Sequence, residues 1–384
     1  MLMDAQTLLS AAREQAGHDN IGDERILDAL ERLINALNTE GKLSERGYQS
    51  VQANLLGQLT NRLKIEGYLA AHPELLERSV ESPLFVFGLP RTGTTLAINL
   101  LNTDAARRSF LRWESQDPVP PPQANELLAG PRVDKSQAMV DMSLKYAPHI
   151  SAIHHEDAIS PTECQFLMSP SFVAQYYDSM YDIPSYHEWF LHEADYLPAM
   201  EFHKRFLQLL QADAGGTWTL KNPWHPLYLN ELHAVYPDAK LVMTHRDPVD
   251  VLGSACSLLK AVRPMFSEDV DLHAIGANLL ETFDVMIERV LAYKERHGWG
   301  SIYDLQYADI MANPIAEMQA LYEHFGEEFT ADVRAGMEQY MLDNPKGKHG
   351  KHEYHLEDYG LSDTQIRAHF ADYCERFKIP TRAV

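Results

Sequence analysis

The chain has 384 residues, of which 45% are hydrophobic and 23% are charged, and its formal net charge at pH 7 is −22. This acidity repels phosphate backbones, so the composition excludes a protein that binds DNA or RNA non-specifically. The proportions are those of a globular protein, and at roughly 150 residues per domain the length corresponds to about two domains.

The three cysteines indicate a reducing compartment. Cys164, Cys256 and Cys374 are far apart and odd in number, which argues against a disulfide framework and against a paired-cysteine metal site. The first residues lack the basic and apolar regions of a secretion signal, and no run approaches the roughly 18 apolar residues of a membrane helix. We therefore expect a cytoplasmic protein without a transmembrane segment.

The N-terminal fifth of the chain has a helical pattern. Between residue 5 and about residue 77, apolar residues recur at helical spacing without strand-like alternation, which predicts about three helices. Ser82 precedes a proline and is therefore disfavoured in the α conformation, so it marks a boundary. We predict a helical N-terminal domain or cap at residues 1–80 and a second domain at residues 81–384.

Four short apolar runs in the second region predict buried strands of a parallel sheet. These runs are residues 84–87, 217–220, 241–244 and 302–305. Helical stretches alternate with them, which is typical of a layered α/β protein. The predicted fold class is thus α/β, with three layers in which helices flank a central parallel sheet, preceded by the N-terminal helical segment.

The first predicted strand runs into Gly88-Leu89-Pro90-Arg91-Thr92-Gly93-Thr94-Thr95, and an apolar helical stretch follows. This spacing is that of a phosphate-binding P-loop, whose glycines let backbone N–H groups turn towards phosphate oxygens. Thr94 occupies the position of the nucleotide-binding lysine, and the cation lies inside the loop at Arg91. The fold is therefore predicted to be P-loop-like, with the anion held in a different way.

A second basic motif follows the strand predicted at residues 241–244. Arg246 stands at the end of this strand, and Ser254 follows about two helical turns later, so both side chains are able to grip one phosphate. A salt bridge from Arg246 to Asp247 or Asp250 is the alternative explanation. A P-loop kinase or nucleotide hydrolase needs a metal-binding carboxylate directly after this strand. Here the basic residue Arg246 precedes the first carboxylate, Asp247, which argues against such an enzyme.

Together, these motifs resemble the sulfotransferases that use 3′-phosphoadenosine-5′-phosphosulfate. The family has a strand followed by Pro-Arg-x-Gly-Thr-Thr, and a later strand with Arg-Asp-Pro and a serine eight residues after the arginine. The resemblance begins at about residue 84, extends to the C-terminus and is of the bacterial type, with motifs nearest to the protein-tyrosine branch. It implies sulfuryl transfer to a hydroxyl of a small-molecule or lipid-like acceptor, adenosine 3′,5′-bisphosphate as product, and no metal.

The resemblance also assigns residues to the nucleotide. The P-loop-like turn would bind the 5′-phosphosulfate, Arg246 and Ser254 the 3′-phosphate, and Tyr307 the nucleoside, while the basic segment at residues 344–360 would cover the 3′-phosphate. A solvated basic loop is the alternative for that last segment. The residues so assigned are Arg91, Thr92, Gly93, Thr94, Thr95, Arg246, Ser254, Tyr307, Lys346, Gly347 and Lys348.

Sulfuryl transfer requires a base for the acceptor hydroxyl and cations for the transferring group. Arg91 and Lys221 are the predicted cations, since Lys221-Asn222-Pro223 is similar to the Lys-Asp-Pro motif of the protein-tyrosine branch; a surface lysine is the alternative. Glu114 is the predicted base, because that branch places a glutamate soon after the phosphate-binding helix.

Other roles remain open for these residues. The alternative for Glu114 is a structural carboxylate that forms an ion pair with Arg107 or Arg112. The alternative base is His154 or His155, because cytosolic members of the family use a histidine. Adjacent histidines point in different directions, so no metal site is predicted there.

An aromatic-rich stretch at residues 172–202 is predicted to be either a lid or wall of the acceptor pocket, or part of the core. The first alternative favours an apolar or aromatic acceptor. A P-loop kinase or nucleotide hydrolase is the alternative enzyme, and a catalytically inactive nucleotide-binding protein is a third hypothesis. The sequence leaves the acceptor and the oligomeric state open.

Overall fold

Five parallel strands form the centre of the fold in the computed structural model, which describes residues 2–146, 156–345 and 354–381. The strands are β1 (Leu84–Gly88), β2 (Arg107–Ser109), β3 (Thr217–Lys221), β4 (Lys240–His245) and β5 (Tyr303–Gln306). Their order across the sheet is β2-β3-β1-β4-β5. All four strands predicted from the sequence are present, whereas β2 was not predicted.

Helices surround this sheet. In the described residues the α-helices are α1 (Ala5–Ala16), α2 (Ile26–Thr39), α3 (Glu45–Ala71), α4 (Thr94–Leu101), α5 (Pro131–Tyr146), α6 (Gln165–Met168), α7 (Gln175–Met180), α8 (Pro184–His192), α9 (Leu197–Leu210), α10 (Leu229–Val235), α11 (Pro248–Val262), α12 (Leu272–His297), α13 (Tyr307–Ala312), α14 (Pro314–His324), α15 (Ala331–Asp343), α16 (Asp363–His369) and α17 (Ala371–Arg376). None of these helices combines the length and the apolar composition that crossing a bilayer would require.

The two faces of the sheet carry separate hydrophobic cores. Successive side chains of a strand point to opposite faces, and β1 shows this directly. Phe85 and Phe87 belong to the larger core, whereas Leu84 and Val86 belong to a smaller core with α4, α14 and α15. The fold is therefore α/β with a central parallel sheet between two helical layers, as predicted.

The N-terminal helices α1 to α3 share the larger core with the α/β region. Arg62 of α3 is fully buried and fastens the two parts together. Its Nε donates a hydrogen bond to the Ile21 carbonyl (2.7 Å), one terminal nitrogen donates to Ser171 Oγ (2.9 Å), and its guanidinium lies 4.2 Å from the centre of the Phe202 ring. Burial lowers the pKa of Arg62 to about 10, so the group remains a cation at neutral pH.

The N-terminus of α3 packs against the turn that follows α11. Ser44 caps the helix by accepting a hydrogen bond from the Gly47 N–H at 3.0 Å, and its own N–H donates to the Phe266 carbonyl at 2.9 Å. A Cβ at Gly47 would lie 1.9 Å from this carbonyl oxygen, so the contact requires glycine. The N-terminal helices are therefore joined to the same helix that carries Ser254.

We expect Gly47→Ala to lower the free energy of unfolding by about 1–3 kcal/mol, because the added methyl group overlaps backbone that cannot move without breaking the cap. Gly57→Ala is the matched control, since it lies in the same helix with open space around it. The control should raise stability by about 0.5–1 kcal/mol. Urea unfolding followed by circular dichroism measures both, and equal stabilities would contradict the close contact.

Candidate functional site

A cavity of about 410 Å³ lies at the carboxyl edge of the sheet. The segments that follow four of the strands each contribute to its lining, through Arg91 after β1, Trp224 after β3, Arg246 after β4 and Tyr307 after β5. In open α/β sheets, ligands bind at this edge, where connections from neighbouring strands leave in opposite directions. In this sheet the chain leaves β1 towards β2, on one side, and leaves the neighbouring strand β4 towards β5, on the other side. The cavity therefore lies at the switch point between β1 and β4.

The P-loop-like turn is shaped by two glycines with positive φ. A Cβ at Gly88 (φ +146°) would lie 2.4 Å from the Thr244 carbonyl oxygen, and one at Gly93 (φ +100°) would lie 3.0 Å from the Tyr307 ring. Gly93 is followed directly by α4, and the first residues of α4, Thr94 and Thr95, line the cavity. The N-terminus of α4 therefore offers its N–H groups to an anion in the cavity.

Thr92 has a structural role in this turn. Its buried hydroxyl lies 2.6 Å from both the Leu89 carbonyl oxygen and the hydroxyl of Thr244. This interaction fixes the loop after β1 to the end of β4. The Thr92 side chain is therefore directed into the protein, and any contact of this residue with a ligand would come from its backbone.

The two predicted arginines meet at one end of the cavity. Arg91 has a positive φ of 71° and donates from Nε to Ser254 Oγ at 3.2 Å, while Arg246 donates to the Arg91 carbonyl at 3.0 Å. Arg246 also lies 4.5 Å from the centre of the Tyr307 ring and pairs with Asp250 at 3.1 Å. Arg246 therefore forms one of the two salt bridges offered as the alternative explanation for it and also lies beside Arg91, while the nucleotide contacts assigned to both arginines stay predictions.

This cluster has the electrostatics of an anion site. Burial, together with the neighbouring guanidinium of Arg246, lowers the pKa of Arg91, and Tyr307 and Glu163 oppose this effect. The buried Nε of Arg246 has no hydrogen-bond partner among the described residues. Two adjacent guanidinium groups, one with an unsatisfied N–H and one on strained backbone, are stabilised when an anion binds between them.

Lys221 lies directly behind the cavity wall, fully buried at the end of β3. Its Nζ is 3.1 Å from Glu163 Oε1 and 3.9 Å from Glu156 Oε1. The Cys164 N–H donates to the Lys221 carbonyl at 2.8 Å, which holds the segment containing Glu163 alongside β3. The surface-lysine alternative is therefore wrong.

Glu163 lines the cavity, and sequence reasoning did not select it. A signal was available, because a lysine buried at the end of a strand needs a carboxylate partner. Glu156 and Glu163 supply this partner from the segment that begins at His154, which sequence reasoning considered only for its histidines.

The remaining wall of the cavity is mostly apolar, although the side chains of Gln165, Tyr176 and Ser179 carry polar groups. Part of the aromatic-rich stretch contributes to it, while Tyr177, Tyr181 and Tyr186 of the same stretch are buried in the core. Part of residues 172–202 therefore lines the cavity and part lies in the core, while a role as an acceptor lid stays a prediction. The side chains on this wall are Gln165, Phe166, Tyr176, Ser179, Met180, Leu258, Leu259, Val262 and Met311.

Comparison with known proteins identifies the enzyme class. The sulfotransferase family model matches residues 83–331, which is most of the chain. The chain belongs to the sulfotransferase family. The enzyme class and the bacterial-type resemblance are thus confirmed. The activity of this family is sulfuryl transfer, so the kinase alternative is not supported.

Solved sulfotransferase structures are similar over the whole fold. Sulfotransferase STF9 from Mycobacterium avium has a TM-score of 0.92 and 31% identity, and the match covers 100% of this chain and 99% of that one. Sulfotransferase STF1 from Mycobacterium tuberculosis H37Rv has a TM-score of 0.86 and 29% identity, with 97% and 99% covered. The N-terminal helices are thus included in the similarity.

A characterised relative is named for its acceptor. The omega-hydroxy-beta-dihydromenaquinone-9 sulfotransferase Stf3 of Mycobacterium tuberculosis is 25% identical over 310 residues, which are 77% of this chain and 75% of that protein.

Glu114, the predicted base, lies away from the cavity of this sulfotransferase. It is fully buried in the 3₁₀ turn Arg112–Ser115, where its Oε2 accepts a hydrogen bond from the Leu111 N–H at 2.9 Å. Its carboxylate pairs with Arg108 of β2, whose guanidinium lies 4.8 Å from the centre of the Trp218 ring. Among the described residues Glu114 is not part of the cavity lining. This placement does not support a role as base.

Several predicted site residues lie outside the described residues. They are His154, His155, Lys346, Gly347 and Lys348. The described end of the 344–360 segment returns to α11, where the Tyr354 hydroxyl donates to the Asp250 carbonyl at 3.2 Å. A Cβ at Gly253 would lie 2.0 Å from the Tyr354 ring, so this ring packs next to Ser254.

We expect Glu114→Ala to lower the free energy of unfolding by about 3–5 kcal/mol, because Arg108 would remain buried without its partner. Glu126→Ala is the matched control. Glu126 also accepts from a backbone N–H and pairs with an arginine, but its side chain is 46% exposed, so its loss should lower the stability far less than the loss of Glu114 does. Chemical unfolding compares them. Wild-type stability in Glu114→Ala, combined with loss of sulfuryl transfer, would return Glu114 to the reaction.

Proposed function

We propose that this sulfotransferase transfers a sulfuryl group from 3′-phosphoadenosine-5′-phosphosulfate to the hydroxyl group of a lipid-like acceptor. One observation carries the proposal: a single cavity joins two anion-binding motifs at one end to an apolar wall at the other. A nucleotide with phosphate groups at two positions matches the first part. A long apolar alcohol matches the second.

The residues present fit this nucleotide. Arg91 and the N–H groups at the start of α4 would hold the 5′-phosphosulfate, and Arg246, through its unpartnered Nε, would hold the 3′-phosphate with Ser254. Tyr307 supplies an aromatic face beside both arginines. When bound, the nucleotide supplies an activated sulfuryl group.

The segment at residues 344–360 would complete the nucleotide site. Lys346, Gly347 and Lys348 would cover the 3′-phosphate, which fits their basic and glycine-containing sequence. The position of Tyr354 beside Gly253 supports this role, because it brings the end of the segment next to Ser254. We propose no metal in the reaction, since two arginines and a helix N-terminus provide the positive charge.

We propose Glu163 as the general base in place of Glu114. Glu163 lines the cavity, where it interacts electrostatically with Arg91, whereas the Glu114 carboxylate forms a buried ion pair with Arg108. Its carboxylate would take the proton of the acceptor hydroxyl as the acceptor oxygen bonds to sulfur. Arg91 would then stabilise the charge left on the departing phosphate.

Lys221 acts on the reaction through Glu163 in this proposal. Its ammonium group has no exposed surface and lies 3.1 Å from the Glu163 carboxylate. The pair fixes one oxygen of Glu163, and the Gln165 side-chain amide holds the other. The base is thereby oriented before the acceptor arrives, which lowers the cost of alignment.

Two independent facts support a lipid-like acceptor. On this wall α11 contributes Leu258, Leu259 and Val262, and α7 contributes Met180 beside the hydroxyl-bearing Tyr176 and Ser179, so most of the wall is apolar. The name of the relative Stf3 describes a hydroxylated menaquinone as its acceptor. We therefore propose an alcohol carried on a long apolar chain.

The donor site is tested by ligand-induced stabilisation. Adenosine 3′,5′-bisphosphate without Mg²⁺ should raise the unfolding temperature, and at a hundredfold excess over Kd it stabilises by about 2.7 kcal/mol. Arg246→Ala should weaken its binding at least about tenfold, because a charge-assisted contact is lost. Arg334→Ala, an exposed arginine on α15, should leave the affinity unchanged. Stabilisation by ATP with Mg²⁺ alone would favour a kinase-like enzyme instead.

The base is tested by turnover with labelled donor and a long-chain prenyl alcohol. Wild-type enzyme should sulfate this alcohol in preference to ethanol, and Glu163→Gln should lower kcat about 10²–10⁴-fold. The affinity of Glu163→Gln for adenosine 3′,5′-bisphosphate should stay within about twofold of the wild-type value, because the nucleotide contacts persist.

Glu156→Gln is the matched control for this test. It changes the other carboxylate near Lys221, and Glu156 lies outside the cavity lining formed by the described residues. Its kcat should therefore remain near that of the wild type. Full activity in Glu163→Gln would instead assign the base to Glu156, His154 or His155.

A further inference from the structure

The helices α16 and α17 lie outside the residues that the family model matches, which end at residue 331. Together with Phe377 we call them the C-terminal helix pair, residues 363–377. Three of its contacts reach the carboxyl edge of the sheet. Each contact ends on a residue that is next in sequence to Arg246 or Tyr307, so the helix pair meets the proposed nucleotide site from behind.

Two of these contacts hold the residues on either side of Arg246. His245, the last residue of β4, is fully buried, and its Nδ1 lies 2.9 Å from the Tyr373 hydroxyl. Asp247 Oδ2 pairs with Arg367 at 3.2 Å. The helix pair therefore fixes the chain directly before and directly after Arg246.

The third contact lies directly before Tyr307. Gln306, the last residue of β5, donates from Nε2 to the Phe377 carbonyl at 2.8 Å. Gln306 is paired with His245 in the sheet, and the ring of Phe377 stacks on that histidine with 4.5 Å between ring centres. Phe377 thus contacts the ends of both β4 and β5.

A side-chain network also joins β4 to β5 at this point. His245 Nε2 lies 3.0 Å from Asp304 Oδ1, and Asp304 Oδ2 lies 2.7 Å from the Nζ of the buried Lys294. Burial lowers the pKa of His245, against the effect of Asp304, so the ring is neutral at pH 7. A neutral ring that donates to this carboxylate accepts at Nδ1 from the Tyr373 hydroxyl, so both nitrogens are used and the ring has one orientation.

The placement of Arg246 depends on these strand ends. Its guanidinium lies 4.5 Å from the centre of the Tyr307 ring and donates to the Arg91 carbonyl at 3.0 Å, so it contacts the segments that follow β1 and β5. A guanidinium–phosphate contact is directional, and a displacement of about 1 Å is enough to weaken it. The alignment of β4 with β5 directly before Arg246 therefore decides how well it can meet an anion.

We propose that the C-terminal helix pair is a positioning element of the nucleotide site, in which Tyr373 and His245 position Arg246. The inference rests on the proposed function, in which Arg246 holds the 3′-phosphate of the donor. Tyr373 fixes the ring of His245, and His245 fixes the backbone from which Arg246 extends. Neither side chain belongs to the cavity lining formed by the described residues, so both act through Arg246. The competing role is stabilisation of the fold alone.

The test compares two deletions of a single hydroxyl group. Tyr373→Phe removes the hydrogen bond to His245, and Tyr236→Phe removes the equivalent 2.7 Å bond between the Tyr236 hydroxyl and Nδ1 of the fully buried His203. Both tyrosines are buried in the larger core, but Tyr236 precedes the amino end of β4. Each variant should lower the unfolding temperature by a similar amount, because each leaves one histidine nitrogen unpaired.

Calorimetric titration of the full-length protein with adenosine 3′,5′-bisphosphate separates the two roles. Tyr373→Phe should weaken the affinity by on the order of three- to tenfold, whereas Tyr236→Phe should stay within about twofold of the wild type. In turnover with the prenyl alcohol, Tyr373→Phe should raise KM for the donor and leave kcat within about twofold of the wild-type value, because donor binding is weakened and proton transfer is not.

Equal affinities in Tyr373→Phe and Tyr236→Phe would overturn the proposal and leave the C-terminal helix pair with a structural role alone. Failure of the wild type to bind adenosine 3′,5′-bisphosphate would contradict the proposed function itself, and this inference with it. The wild-type titration therefore distinguishes the two failures.

Discussion

The close contact between the ends of β1 and β4 determines the rest of the site. Gly88 pairs with Thr244 in the sheet and approaches it so closely that a methyl group at Gly88 would overlap the Thr244 carbonyl. The Thr92 hydroxyl then ties the loop after β1 to the same threonine. Because of this contact, two motifs more than 150 residues apart in the sequence place Arg91 and Arg246 side by side.

Two buried ion pairs flank this arrangement and have different consequences. Lys221 and Glu163 lie at the carboxyl edge of the sheet, where the carboxylate reaches the cavity. Arg108 and Glu114 are enclosed completely, so their charges serve only each other and the backbone around them. Removing one member of either pair leaves a buried charge, but of these four residues only Glu163 also lines the cavity.

The features that were predictable from the sequence are those set by neighbouring residues. The four strands appeared as apolar runs, and the P-loop-like turn appeared in the spacing of Gly88 and Gly93. β2 has three residues, two of them arginines, and therefore lacks the apolar pattern of a buried strand. Without β2, the partner of Glu114 was not visible.

Long-range contacts account for the remaining differences. Glu163 reaches Lys221 across 58 residues through an isolated bridge beside β3, and no local pattern announces such a contact. A single sequence shows which residue types are present in a segment, but which of them meet depends on the topology of the sheet and its helices.

The buried Arg62 has a consequence for how this enzyme can change. Its guanidinium binds backbone near the N-terminus, a serine before the aromatic-rich stretch and the ring of Phe202 within it. The N-terminal helices therefore belong to the scaffold that holds the aromatic-rich stretch, part of which lines the cavity, although they lie outside the family motifs. Substitutions in these helices are expected to change the shape of the cavity wall through this packing, and the same substitutions change stability, so cavity shape and stability are expected to evolve together.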